Sequence, residues 1–123
     1  MFLQLAHTKL DVFQASKLFV LESYRLTKLL PPEEKFAMGQ QIRRATLSVH
    51  LNITEGCSRK SLSERRRYYE VSRGSLIEVD TTFDIASSLN YFTNEELSTL
   101  GVEIIKTFNI LSGLIKAIDS DEK

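Results

Sequence analysis

A chain of 123 residues with 42% hydrophobic and 26% charged side chains has the composition of one globular domain. It is short for two domains and lacks the Pro/Ser/Gly-rich linkers and low-complexity tracts of disordered proteins. Sixteen basic residues balance sixteen acidic ones, which argues against a protein that coats nucleic acid indiscriminately.

The first apolar-periodic segment covers about residues 11–29, with Val12, Ala15, Phe19 and Leu26 on one side and Phe13, Val20 and Tyr24 adjoining. Pro31 and Pro32 stop it, because proline lacks an amide donor and pushes the preceding residue out of helical geometry. Glu33 and Glu34 suit the positive first turn of a second helix, expected over 33–57. Its core face is Met38, Ile42, Ala45, Thr46, Val49 and Ile53. Gly56 is expected to end this helix in the left-handed conformation, and Ser61-Leu62-Ser63-Glu64 reads as a capping box opening a third helix over 62–89. That helix is expected to bury Tyr68, Ser72, Leu76, Val79, Phe83 and Ala86, with Gly74-Ser75 admitting a close neighbour. Thr93-Asn94-Glu95-Glu96 is a second capping box, for a fourth helix over 94–118. There Leu97, Gly101, Ile104, Phe108, Leu111, Ile115 and Ile118 recur at alternating steps of four and three, a heptad seam. Four long helices with short connections and weak strand signals predict an all-α, antiparallel up-down-up-down four-helix bundle forming a single domain over 1–123.

No apolar run is long enough to span a membrane, and the start of the chain lacks the basic region and cleavage pattern of a leader. The lone Cys57 excludes an internal disulfide and a Cys-rich zinc site, so the chain is expected in the cytoplasm with no membrane partner. Helical bundles host di-iron sites built on Glu-x-x-His pairs, but neither His7 nor His50 follows an acid by three positions. The sequence also lacks a nucleophile elbow, a phosphate-cradling glycine loop and a pair of core carboxylates. A non-enzyme without metal or cofactor is expected, with His50 at a surface or interface. Cys57 near Arg59 is a candidate activated thiol or simply a loop cysteine, and the sequon at Asn52 falls inside a helix.

The charge is unevenly placed. Between Gly39 and Ser75 eight basic residues face three acidic ones, a net +5, which leaves −5 elsewhere. If the second and third helices turn back at Gly56–Ser61, Arg43 and Arg44 lie beside Arg73, while Arg59, Lys60, Arg65 and Arg66 gather near the turn, about 20 Å away. Two readings are open: a solvated face laced by pairs such as Glu55–Arg59 and Glu70–Arg66, or a surface that contacts phosphates. On the second helix Leu47 and Leu51 face away from the core, as Ile77 does on the third, a pattern expected where another subunit docks.

The segments PPEE, QQIRRATLSVHLNITEG, SRKS and SRGSLIEVD, in that order, resemble a family of small bacterial four-helix-bundle proteins encoded by intervening sequences in 23S rRNA genes. The most specific combination is Gln41, Arg43-Arg44-Ala45, Ser48-Val49, Asn52-Ile53 and Glu55-Gly56. The resemblance implies a homo-oligomeric ring, typically a pentamer, with RNA or DNA as ligand. Through the similar accessory proteins of diversity-generating retroelements, it also implies a reverse-transcriptase partner. Carried over to this sequence, the contact surface comprises Arg43, Arg44, Arg59, Lys60 and Arg73, with Asn52, Glu55 and Gly56 structural. Together these readings predict a non-enzymatic oligomeric nucleic-acid-binding module. The alternative is a protein-interaction scaffold whose arginines only form salt bridges.

Overall fold

The computed structural model describes residues 1–121, apart from the side chains at positions 8 and 9. Four helices carry the fold: α1 (Asp11–Thr27), α2 (Met38–Ser58), α3 (Leu62–Ser88) and α4 (Ser98–Asp121), with 3₁₀ turns at Ala6–Lys9 and Pro32–Glu34. Among the described residues there are no strands. Each helix packs against its two neighbours in the cycle α1, α2, α3, α4. Hydrogen-bond partners fix the direction. Gln41 meets Glu78, Ser48 meets Ser75, and Ser72 reaches the Val49 carbonyl, so α2 and α3 run antiparallel. Arg73 with Ser112 and Arg66 with Asp119 show the same for α3 and α4.

The core is one cluster fed by all four helices, including Phe19 and Leu26 of α1, Ile42 and Val49 of α2, Leu76 and Val79 of α3, and Leu111 and Ile115 of α4. Phe83 and Phe92, with ring centroids 5.7 Å apart, close it near the α3–α4 connection. Embedded in this apolar cluster are fully buried hydroxyls from every helix, Ser16 and Ser23, Thr46, Ser72 and Thr107.

The double proline stops α1 as expected, but it opens only a 3₁₀ turn. Ala37, at φ −118° and ψ −100°, still separates that turn from α2, which begins at Met38 instead of residue 33. The Ser61 hydroxyl accepts from the Glu64 amide at 3.2 Å and starts α3 as predicted. Asn90, at φ 64°, ends it, with the Tyr91 and Asn90 amides donating to the Ala86 and Ser87 carbonyls in a Schellman arrangement. Thr93 and Glu96 cap each other reciprocally, at 2.8 and 3.1 Å, but the box opens a turn, and α4 starts at Ser98.

Four expectations about packing change. Gly56 adopts no left-handed conformation and α2 continues through it to Ser58. Tyr69 is buried where Tyr68 was expected. Gly74 is exposed, and a Cβ there would meet nothing within 4 Å. On α4, Leu100 and Thr107 are buried in place of Gly101 and Phe108 in the seam.

Candidate nucleic-acid interface

The α2–α3 turn occupies the three residues between Ser58 and Leu62, and its geometry is built by its own cations. Arg59 pairs with Glu55 at 2.9 Å, the i,i+4 contact expected from sequence. Its Nη2 also donates to the Tyr68 hydroxyl at 3.2 Å, and Arg67 Nη2 approaches the same oxygen at 3.4 Å. Both guanidinium carbons lie 5.1 Å from the Tyr68 ring centroid, so two cations flank one half-buried aromatic. Arg65 donates through Nε to the Arg59 carbonyl at 2.6 Å, satisfying a backbone acceptor at the end of α2. Lys60 is exposed beside them and forms no ion pair among the described residues. The Tyr68 hydroxyl and the Glu55 carboxylate hold the Arg59 guanidinium above its ordinary value.

Under the turn, Gly56 and Tyr69 interlock. A Cβ on Gly56 would stand 2.7 Å from Tyr69 Cε1, so glycine is there to admit the ring. The Tyr69 hydroxyl lies 3.5 Å from Cys57 Sγ, and burial, followed by that partner, pushes the phenol well above its usual range. Cys57 is half-buried against the core. Asn52 reaches the Ser48 carbonyl at 2.8 Å and the Ser48 hydroxyl at 3.1 Å, and that hydroxyl meets Ser75 at 2.8 Å. These contacts give Asn52, Glu55 and Gly56 the structural parts expected of them.

The remaining cations do not gather. Arg43 turns toward the α1–α2 connection and donates to the Lys35 carbonyl at 3.0 Å. Arg44 is exposed on the opposite side of α2, beside Ser75 and Glu78. Arg73 faces α4, donating to Ser112 at 3.2 Å with its guanidinium 6.0 Å from the Phe108 ring centroid. The three share a level of the bundle but not a face, so the expected Arg43–Arg44–Arg73 cluster is absent. Arg66 also belongs to the α4 side, between Asp119 (2.6 Å) and Glu70. Its partners raise it above its ordinary value, Asp119 foremost. Sequence reasoning missed Arg67 and Tyr68 because it put Tyr68 in the core. The signal was present: Tyr69, Ser72, Leu76, Val79, Phe83 and Ala86 alternate steps of three and four, leaving Tyr68 to one side.

The candidate interface residues also separate. Leu47 and Leu51, 40% and 56% exposed, lie on α2, next in the cycle to the exposed Leu18 and Leu21 of α1. Ile77 instead lines a groove between α3 and α4. His50, expected at a surface or interface, keeps only part of its surface exposed. It is half-buried against α1, with Nδ1 2.6 Å from Ser16 Oγ and its ring 4.6 Å from that of Phe13.

A four-helix bundle with cations crowded on one interhelical turn is the class that fold and site define. The family model of the 23S rRNA-intervening sequence protein matches residues 8–113, and the chain belongs to that family. Its fold is similar to the 1.70 Å crystal structure of a protein of unknown function from the S23 ribosomal protein family of Bacteroides thetaiotaomicron VPI-5482. The TM-score is 0.79 at 22% identity, over 85% of this chain and 98% of that one. No curated protein matches.

Proposed function

We propose that the chain is a non-enzymatic, oligomeric, cytoplasmic module that binds nucleic acid through the α2–α3 turn. The observation that carries this reading is the convergence of Arg59 and Arg67 on Tyr68, with Lys60 and Arg65 alongside. Guanidinium groups donate well to phosphate oxygens, and contacts of this kind hold a backbone with little sequence preference. Repetition of the turn around an oligomer concentrates positive charge on one surface while the total stays neutral. The family's association with intervening sequences of 23S rRNA makes RNA the first ligand to test.

The non-enzymatic part of the reading draws on the Ser16–His50 contact. The Ser16 hydroxyl is fully buried, 3.1 Å from the Phe13 carbonyl and 2.6 Å from His50 Nδ1. A hydroxyl with no exposed surface is closed to a substrate, so the pair serves the packing of α1 on α2 rather than nucleophilic attack.

Fluorescence anisotropy with single- and double-stranded RNA and DNA tests the proposal. Binding is expected to weaken steeply with salt. In Lys60→Gln/Arg67→Gln the slope should flatten by about one unit for each phosphate that is no longer neutralised, whereas Arg44→Gln and Arg73→Gln leave it unchanged. If no nucleic acid binds even at low salt, the scaffold reading replaces this one. The ion pairs Arg59–Glu55, Arg66–Asp119 and Arg66–Glu70 favour that second reading.

A further inference from the structure

Two apolar surfaces of this chain lie far apart on one copy, yet each has the character the other lacks. At the start of the chain Met1, Phe2 and Leu3 are 68%, 104% and 64% exposed. They are held in a bend by the Gln4 side-chain amide, which donates to the Met1 carbonyl at 3.1 Å. Between α3 and α4 an open groove of about 370 Å³ is floored by Leu76, Ile104 and Phe108 and edged by Ile77, Ile105 and Asp80. Ile77 and Ile105 remain 50% and 63% exposed there.

We propose that the Met1–Leu3 segment of one copy docks in the α3–α4 groove of a second copy, with Phe2 as the anchor. A rigid aromatic entering an apolar recess is the usual form of an interface anchor. Charge agrees: the segment from Met1 to Leu10 contains no carboxylate and carries Lys9, while Asp80 and Asp84 follow the groove along α3.

Reach decides that the groove belongs to another copy. The 3₁₀ turn at Ala6–Lys9 packs on α1 and α2, the edge of the bundle opposite α3 and α4. Ile77 lies about 22 Å along α3 from its first residue, at 1.5 Å per residue. Phe2 is three residues from Leu5, which extends it by about 11 Å at most. That is too short to pass around the bundle and half-way along it. The docking is independent of nucleic-acid binding.

Disulfide trapping between two single-cysteine variants, both in a Cys57→Ser background, tests the docking. Phe2→Cys is expected to cross-link to Ile105→Cys at least about tenfold more than to Val71→Cys, a control at an exposed position of α3 outside the groove. Equilibrium sedimentation supplies the second reading, with Phe2→Ser weakening self-association about tenfold or more while helical content is unchanged. Phe2 is fully exposed, so its replacement disturbs no core contact. Equal trapping at Ile105 and Val71, or self-association unaffected by Phe2→Ser, overturns the proposal. A disulfide that forms only within one chain carrying both Phe2→Cys and Ile105→Cys also overturns it.

Discussion

Gly56 and Gly74 are both helical glycines in basic, polar surroundings, yet they ask for opposite treatment. Adding a methyl group at Gly56 drives it into the buried Tyr69 ring, which the backbone of α3 and the Cys57 contact hold in place. The gain in helix propensity, about 1 kcal/mol, is outweighed by overpacking of about 1–3 kcal/mol. Gly56→Ala is therefore expected to destabilise by on the order of 1 kcal/mol. At Gly74 the added methyl meets open space, and Gly74→Ala should stabilise by about 0.5–1 kcal/mol. Urea denaturation curves should move in opposite directions for the two variants. A stabilising Gly56→Ala would mean that Tyr69 yields, and that the glycine is not there for the ring.

Between elements, the α1–α2 contact contains the chain's clearest titratable feature. His50 is depressed below its ordinary value of 6.5, first by burial and then by the nearby Lys17 and His7. The folded chain then takes up the His50 proton less readily than the unfolded chain. Its contribution to stability is complete above 6.5 and is lost as pH falls from there through the lower folded value. Thermal unfolding followed from about pH 7 to about pH 5 should show this loss, and His50→Gln should reduce it. An equal fall in the variant would assign the acid sensitivity elsewhere. The four helices themselves were legible from apolar spacing and punctuation, with α3 predicted over 62–89 and found at Leu62–Ser88. The errors share a cause: they sit where tertiary contact overrides a local signal. A proline pair suits a helix start, but the backbone at Ala37 breaks the path before Met38. A glycine near a helix end suggests a cap, but a ring from another helix explains Gly56. The site was half legible for the same reason. Local spacing located Glu55–Arg59 and Glu70–Arg66, whereas the separation of Arg43, Arg44 and Arg73 depends on which neighbour each arginine faces.

At the scale of the whole molecule, the exposed Leu47 and Leu51 on α2 give the proposed assembly a second, independent surface. Leu51→Glu should lower the mass measured by light scattering while leaving the helical circular dichroism signal intact. Wild-type protein that scatters as a monomer at high micromolar concentration would end the assembly reading, and a mass other than five chains would remove the pentamer. The α2–α3 pair has the most direct connection of any in the bundle, three residues long, and a polar ladder from Gln41–Glu78 through Ser48–Ser75 to Ser72–Val49. Closing so short a loop costs little chain entropy, which favours early pairing of these two helices as the chain folds. The cationic turn sits at the tip of that hairpin, so the arrangement of Arg59, Arg67 and Tyr68 is expected to outlive partial openings elsewhere in the bundle.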